Sequence, residues 1–286
     1  MPSSITPLPD VAFSIDELAR RLRAHVEALA ADERNVDLET PARYIERELG
    51  PDSRRQPYPS AGRTVCNVEI GEGPIVVGAH YDTVPGSPGA DDNASGVAAM
   101  IELSRMLSGE QIRFVAFANE ELPYSHGDEM GSFVHAKRAR EAGERVSAMF
   151  SLEMLGCYSD APGSQRYPPV IGWFYPDRAN FIAFVGDLGA RQLVKRAHAL
   201  FRRHSDFPSQ SLAAPAFVPG ITRSDHWSFR RHGFPAVMVT DTAFNRYPHY
   251  HRATDTPEKL DYARMATVTL GLAGMLRELA SEHKNR

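Results

Sequence analysis

The sequence predicts an α/β protein, a three-layer α/β/α sandwich in which helices cover both faces of a mostly parallel, mixed central sheet. Short apolar runs alternate with amphipathic segments along the chain, which is the pattern of strand–helix–strand units. The runs at 75–79, 112–118 and 236–240 are apolar almost throughout, as expected of strands covered on both faces. No Pro- or Ser-rich linker divides the chain, so we expect residues 1–286 to form one domain, with the helices of residues 1–50 packed on it.

Composition excludes several classes of protein. The chain has 286 residues, 42% of them hydrophobic, which is enough for one large core. A net charge of -4 leaves no basic footprint for nucleic acid or an anionic membrane. No apolar run reaches the ~18 residues of a membrane span, and the N-terminus lacks the apolar core of a signal peptide. The chain has only two cysteines, so we expect no disulfide framework and a cytoplasmic location. The sequence does not indicate the oligomeric state.

The first half of the chain shows two helices and then strands and helices in alternation. Ser14 is a good N-cap for a helix over residues 14–31. A second helix is expected to start at Thr40–Pro41 and to stop before Gly50–Pro51. The pattern then predicts strands at 64–70 and 75–80, a helix at 94–107, a strand at 112–118 and a helix at 130–142.

The second half begins with an apolar strand, 146–152, that ends in Glu153. Residues 156–175 contain several Pro, Gly and Tyr residues, and we expect irregular structure there with one strand near 169–174. The remaining elements are one or two helices within 177–204, a buried strand at 236–240 and a closing helix at about 258–281.

Polar side chains follow the ends of the apolar strands. His80 and Asp82 come at the end of one strand, Glu120 and Glu121 follow the next, and Glu153 ends a third. The loop 241–251 follows the last strand. The carboxyl ends of parallel strands share one edge of an open α/β sheet, which is where such sheets bind ligands. We therefore expect these side chains to meet at one site.

The donor types at this edge suit a metal centre. Two imidazoles and three carboxylates could hold two divalent ions of the zinc type that share one carboxylate; the candidates are His80, Asp92, Glu121, Glu153 and His251. Glu120, beside a liganding carboxylate, would be free to take a proton from water and pass it to a leaving group. Asp82 lies on the same strand face as His80 and could orient its imidazole through a hydrogen bond.

Each of these residues also has an ordinary structural interpretation when taken alone. A histidine at a strand end often bonds a loop carbonyl, and Asp91 before a helix is a natural N-cap. Adjacent glutamates in a loop are usually solvated charges. Their joint occurrence in this order favours the metal centre. A serine hydrolase is excluded because the chain has no G-x-S-x-G segment to supply a nucleophile.

The motifs together resemble those of the co-catalytic di-zinc aminopeptidases, relatives of the bacterial leucyl aminopeptidases and, more distantly, of the glutaminyl cyclases. The resemblance covers residues 64–262 and rests on the segments His80-Tyr81-Asp82, PGADDNASG at 88–96, the Glu120–Glu121 pair, SLEM at 151–154, RSDHWSF at 223–229 and HRATDTPEKLD at 251–261. It implies a zinc-exopeptidase-like fold and an aminopeptidase that hydrolyses N-terminal residues of peptides through a metal-bound hydroxide.

Position by position, the resemblance implies that Asp92 bridges two Zn²⁺ ions, although Mn²⁺ or Co²⁺ could also occupy the same ligands. His80 and Glu153 would complete one site, and Glu121 and His251 the other. Further roles implied are Glu120 as general base, Tyr250 as a donor to the oxyanion, Arg223 as a substrate-binding residue and a cis peptide bond between Asp92 and Asn93.

Two departures from the family pattern leave the substrate open. Glu153 stands where the best-known members use aspartate, and the loop 122–130 is unlike their short turn, so we expect it to shape the pocket. The substrate class is a peptide or another aminoacyl compound. Two alternatives remain: a glutaminyl-cyclase-like acyl transferase with a single zinc, and an inactive binding module on the same fold.

Overall fold

Eight strands form one mixed sheet within residues 14–167 and 171–284, the part of the chain that the structure, a computed structural model, describes. The strands are β1 (Arg54–Ser60), β2 (Arg63–Ile70), β3 (Ile75–His80), β4 (Ile112–Phe117), β5 (Ala148–Glu153), β6 (Ile182–Asp187), β7 (Ser209–Ala214) and β8 (Ala236–Thr240). Their order is β1-β2-β4-β3-β5-β8-β6-β7. The four central neighbours β4, β3, β5 and β8 are parallel, whereas β1–β2, β2–β4 and β6–β8 pair antiparallel.

The helices cover both faces of this sheet. They are α1 (Ile15–Leu29), α2 (Glu39–Leu49), α3 (Gly96–Met106), α4 (Gly131–Glu141), α5 (Arg191–His204), α6 (His226–Arg231) and α7 (Tyr262–Lys284). One core joins α1, α2, α3, α5 and α7 to side chains such as Val77 and Phe150, and a second core joins α4 and α6 to Val76 and Met149. Neighbouring strand residues point to opposite faces, which confirms the predicted three-layer sandwich.

Most of the predicted elements are present with shifted ends. Ser14 caps α1, with its hydroxyl accepting from the amide of Glu17 at 3.1 Å. The start of α2 was misplaced: the helix begins at Glu39, and the carboxylate of Asp37 accepts from the amides of Glu39 and Thr40. The strand at 236–240 has the bounds that the apolar run predicts.

The region after residue 156 contains the main errors. The predicted helix 177–204 is a strand, β6, followed by α5, and β1, β7 and α6 were not predicted. Within the predicted strand near 169–174, residues 171–173 form a 3₁₀ turn, whereas 169 and 170 lie outside the described residues. The single domain over residues 1–286 stays a prediction. Across the described ranges, no helix combines the length and the hydropathy that a membrane crossing needs.

A buried histidine on α4 gives the fold a dependence on pH. The ring of His135 packs edge-on against Phe117 and near Phe229, and neither ring nitrogen has a hydrogen-bond partner among the described residues. The nearest carboxylate oxygen, on Glu69, is 3.7 Å from Nδ1.

Burial of His135, together with the nearby cations of Arg113 and Arg138, lowers the pKa of this histidine to about 3. Burial is the largest of these effects, and the ring has no hydrogen-bond partner in the described part of the chain that would stabilise its charged form. His135 is therefore neutral in the folded protein at every pH above about 4.

Replacing His135 with Gln is expected to flatten the dependence of unfolding free energy on pH. Below the unfolded-state pKa of about 6.5, the unfolded chain protonates this histidine and the folded chain does not, so the wild type loses stability as pH falls toward 3. Between pH 7.5 and pH 5 the loss from this group is about 2 kcal/mol. Urea unfolding at both pH values measures it, and equal pH dependences in wild type and His135→Gln would contradict the assignment.

Candidate metal centre

The carboxyl ends of the four central strands meet at one edge of the sheet. His80 ends β3 and Glu153 ends β5, while Glu120 and Glu121 follow β4. The loop 241–251 follows β8. These strands are parallel neighbours, so their ends lie side by side, as the sequence predicted.

Asp92 lies between two histidines. Its Oδ1 is 3.4 Å from Nε2 of His80, and its Oδ2 is 3.1 Å from Nε2 of His251. The same nitrogen of His80 is 3.5 Å from Oε2 of Glu153, and that of His251 is 3.2 Å from Oε1 of Glu121. The structure thus brings together all five residues that the sequence singled out as ligands, in two groups that share Asp92.

The donor atoms fit a cation. Nε2 of His80 and Oδ1 of Asp92 are buried and face each other without a hydrogen-bond partner in the described part of the chain. Burial raises the pKa of Glu120 well above its usual range, helped by nearby carboxylates, and raises that of Glu121 to about 7. Gathering buried carboxylates is costly unless positive charge balances them. Imidazole nitrogens and carboxylate oxygens are ligands that zinc prefers.

The segment that carries Asp92 is joined to the end of β5. The peptide bond between Asp92 and Asn93 is cis, which confirms the expectation from the family resemblance. The Asn93 side chain donates to the carbonyl of Leu152 (2.9 Å) and accepts from the amide of Met154 (3.0 Å). Leu152 and Met154 flank Glu153, and Asn93 follows Asp92. Asn93 therefore fixes the backbone that carries Asp92 relative to the backbone that carries Glu153.

Asp255 holds the backbone on the other side of Asp92. Its carboxylate accepts from the amides of Asp91 (2.9 Å) and Asp92 (3.1 Å) and from the hydroxyl of Tyr247 (2.8 Å). The prediction that Asp91 caps a helix is wrong. Its side chain accepts from the amide of Gly156 at 2.8 Å and so connects the ligand segment to the chain beyond β5.

Asp82 positions the two glutamates. Its two carboxylate oxygens accept from the backbone amides of Glu120 and Glu121, each at 3.0 Å. The sequence predicted instead a hydrogen bond from the imidazole of His80 to Asp82. Nδ1 of His80 is 3.6 Å from the nearer carboxylate oxygen and 3.3 Å from the backbone carbonyl of Asp82. Asp82 therefore lies beside the imidazole but is bonded to the Glu120–Glu121 turn.

Ser224 is a contact that sequence reasoning missed. Its hydroxyl donates to Oε2 of Glu153 at 2.7 Å and lies 2.6 Å from the hydroxyl of Ser151. Both serines are buried. The sequence does single out the RSDHWSF segment, which contains Ser224. Nothing in the sequence indicates that this segment contacts β5.

An apolar cavity opens beside the donor groups. Glu153, Tyr250 and Arg223 line one part of it. The Tyr250 ring stacks on the ring of His251 at 3.8 Å between centroids, and the Arg223 guanidinium carbon lies 5.3 Å from the centre of the Phe244 ring. Apolar side chains make up much of the remaining wall: Phe181, Ala183, Val185, Leu212, Val218, Ile221, Met238 and Phe244.

The loop 122–130 contributes no residue to the wall of this cavity, and its expected role in shaping the pocket stays a prediction. The loop packs instead on the segment before α6. The His126 ring stacks on Trp227 at 4.6 Å and pairs with the carbonyl of Thr222 at 2.8 Å. The loop is thereby joined to Thr222, the residue before Arg223.

Comparison with known proteins agrees with this geometry. The model of Peptidase family M28 matches residues 66–275. The uncharacterized protein YfbL of Escherichia coli is 39% identical over 95% of this chain and 89% of its own length. A probable leucine aminopeptidase of Arthroderma otae is 26% identical over 76% of this chain, and the chain spans only 56% of that protein.

Solved structures share the fold. LapB from Legionella pneumophila has a TM-score of 0.71 at 21% identity, covering 96% of this chain and 76% of that one. BSAP, a zinc aminopeptidase from Bacillus subtilis, has a TM-score of 0.58 at 24% identity, covering 79% and 53%. The glutaminyl cyclase of Porphyromonas gingivalis has a TM-score of 0.66 at 17% identity, covering 93% and 99%.

Replacing Asp82 with Asn is expected to weaken Zn²⁺ binding about tenfold, because the amide group can accept only one of the two backbone bonds that hold the glutamates. Competition with a coloured chelator measures the affinity. Asp128→Asn is the control, since Asp128 is an exposed acid in the neighbouring loop. Equal affinities in the two variants would show that the Asp82 carboxylate does not support the donor groups.

Proposed function

The chain belongs to Peptidase family M28, and from that premise we propose that it is a zinc-dependent exopeptidase, specifically an aminopeptidase that removes N-terminal residues from peptides. One observation carries the proposal. Two donor groups share the carboxylate of Asp92 at the edge of the sheet, next to an apolar cavity and with Glu120 beside them. The leucine aminopeptidases and the zinc aminopeptidase among the similar proteins support the same assignment.

We propose two ions per chain. His80, Asp92 and Glu153 would hold one, and Asp92, Glu121 and His251 the other. Zinc in such a site acts as a Lewis acid toward a carbonyl oxygen and makes water more acidic. The backbone amides of Asp92 and Glu121 are held by the carboxylates of Asp255 and Asp82, and the carboxylate of Glu153 accepts from Ser224, so binding needs little rearrangement of the chain.

Glu120 is proposed as the general base. Its carboxyl group follows β4 next to Glu121, and its amide is held by Asp82. Glu120 takes a proton from the attacking water and gives it to the leaving amine, so that one side chain serves both halves of hydrolysis. Tyr250, a half-buried residue whose ring stacks on His251, is proposed to donate its hydroxyl to the oxyanion.

The cavity beside Glu153 supports a preference for large apolar N-terminal residues. Phe181, Ala183 and Met238 line its wall, and such a surface favours leucyl or phenylalanyl side chains over charged ones. We propose that Arg223 contacts a backbone oxygen of the substrate at this end of the cavity. A peptide or another aminoacyl compound is the expected substrate class.

The glutaminyl-cyclase alternative is supported less well. It uses one zinc, whereas two of the three donor groups here, His80–Asp92–Glu153 and Asp92–Glu121–His251, share Asp92 and offer a complete set of ligands for two ions. The likeness to glutaminyl cyclases at 17% identity concerns the fold alone. The binding-module alternative leaves a buried glutamate, Glu120, next to the ligands with no role.

We also propose that the protein acts in the cytoplasm. Cys66 and Cys157 are both free, which is the ordinary state of thiols in a reducing compartment. Fractionation of cells that carry a tagged chain tests this location.

Glu120→Gln and Glu121→Gln separate catalysis from metal binding. Glu120→Gln is expected to keep about two zinc ions per chain and to lower kcat on leucyl anilide by about 10²–10⁴, because the amide cannot take a proton. Glu121→Gln is expected to lose one ion. Elemental analysis and initial rates measure both. A wild type that holds one zinc without hydrolysis would favour the cyclase, and one that holds none would refute the site.

Ala183→Leu is expected to narrow the apolar cavity. The added carbons occupy space at the wall between β6 and β8, so kcat/KM for phenylalanyl anilide should fall about tenfold or more, whereas alanyl anilide should change little. The ratio of the two substrates within one variant controls for partial misfolding. An unchanged ratio would show that the substrate side chain binds elsewhere.

A further inference from the structure

The turn between α1 and α2 is packed on the loop that carries the first metal ligands. Arg34 in this turn is buried, with 2% of its surface exposed. Its guanidinium group donates to four backbone carbonyls: those of Leu29 (2.6 Å), Tyr81 (2.7 Å), Pro88 (2.7 Å) and Gly89 (2.8 Å). One side chain therefore bonds both ends of the loop that runs from His80 to Asp92.

Three further hydrogen bonds join the same turn to the middle of this loop. The amide of Arg34 donates to the hydroxyl of Thr83 at 2.9 Å, and the amide of Thr83 donates to the carbonyl of Arg34 at 3.3 Å. The carboxylate of Glu33 accepts from the amide of Gly86 at 3.0 Å. The loop is thus held along its length by Glu33 and Arg34.

The loop needs such support because residues 81–89 form neither helix nor strand. His80 and Asp82 lie at its start, and Asp92 lies just after its end. No ladder of hydrogen bonds within the loop sets the distance between these residues. The guanidinium group bridges the carbonyl of Tyr81 to those of Pro88 and Gly89, and so ties the start of the loop to its end, while Asp255 and Asn93 hold the segment that follows.

The backbone leaves space for this contact. Gly89 has a φ of +64°, and a Cβ atom there would lie 2.3 Å from the carbonyl oxygen of Asp92, 2.4 Å from Cγ2 of Thr83 and 2.8 Å from a terminal nitrogen of Arg34. The cation also suits its surroundings. Burial lowers the pKa of Arg34, and the carboxylates of Asp255, Asp82 and Asp92 partly offset this effect, so that the resulting pKa is about 10. The group therefore stays charged at neutral pH next to the acidic centre.

We propose that Arg34 is a positioning residue for the metal centre: by bonding the carbonyls at both ends of the loop 81–89, it fixes His80 and Asp82 relative to Asp92. The inference rests on the proposed function, because it concerns the same site. Arg34 lies before the residues that match the family model, 66–275. It acts through the backbone and touches neither ligand.

A merely structural role would be to tie the N-terminal helices to the sheet. Arg105 on α3 provides the matched comparison. It bonds Glu102 on its own helix (2.6 Å) and both the carbonyl (3.0 Å) and the carboxylate (2.8 Å) of Glu48 on α2. Arg105 thus holds the same helices and bonds none of the loop residues 81–89.

The test compares Arg34→Lys with Arg105→Lys in the full chain. Lysine keeps the charge, but its single ammonium group cannot reach four carbonyls in one plane. Three quantities are measured: Zn²⁺ affinity by chelator competition, hydrogen exchange of the amides in 81–92, and kcat and KM on leucyl anilide. For Arg34→Lys we expect zinc affinity and kcat about tenfold lower, exchange in 81–92 about tenfold faster and KM within about twofold of wild type. For Arg105→Lys we expect all of them within about twofold, whatever its effect on Tm.

Equal zinc affinity and loop exchange in the two variants would overturn the proposal. If Arg34→Lys does not fold, Glu33→Ala tests the same turn at an exposed position, where the loss of one acceptor should speed exchange in 81–89 about threefold; no change in that exchange would also overturn it. The outcomes are separable from those of the proposed function. A wild type without zinc or hydrolysis would refute the peptidase, whereas the exchange of 81–92 would still decide whether Arg34 fixes the loop.

Discussion

The concentration of buried carboxylates at one sheet edge is the constraint on which the rest of this structure depends. Asp92, Glu120, Glu121 and Glu153 are each less than one tenth exposed, and the only histidines that face Asp92 in the described residues are His80 and His251. In water such charges would separate. They can be gathered here because Asp255 and Asp82 accept from the backbone amides of Asp92, Glu120 and Glu121 and so hold these turns in place, and because a bound cation would balance their charge.

The acidic residues near the site divide into two kinds by what they accept. Asp82 and Asp255 each accept hydrogen bonds from two backbone amides in the turns that carry the proposed ligands. These two carboxylates therefore hold the backbone in place. Asp92 and Glu121 instead direct oxygens toward a histidine nitrogen. Neighbouring carboxylates of the same type thus serve different purposes, and only the partners of each carboxylate distinguish them.

The sequence predicts which side chains meet at the sheet edge, and it does so for a physical reason. A strand buried on both faces must be apolar, so a charged residue at its end stands out, as Glu153 does after β5. The parallel arrangement then brings such residues together without further information. The roles of Asp255 and Ser224 could not be predicted in this way. They depend on contacts between segments that are far apart in sequence, and no local pattern specifies which segments meet.

The strands that were missed share a different property. β1 (RRQPYPS) contains two prolines and β7 (SQSLAA) is polar, so neither carries the apolar signal of a central strand. Both lie at the ends of the sheet, where proline and polar side chains are tolerated because one edge of the strand is unpaired within the sheet. β6 is apolar, but the strongly amphipathic α5 follows it closely, and the helical period dominated the prediction.

The position of Arg34 extends the same reasoning to the N-terminal helices. A buried guanidinium group is costly unless its donors find acceptors. Three of the four acceptor carbonyls of Arg34 belong to the loop 81–89, which lies between His80 and Asp92, and the fourth is that of Leu29 in α1. Since β3 fixes only His80, the spacing from His80 to Asp92 must be set from outside the strand. The turn after α1 meets that need. A site formed by the central sheet is therefore completed by a residue that comes before the first strand of the chain.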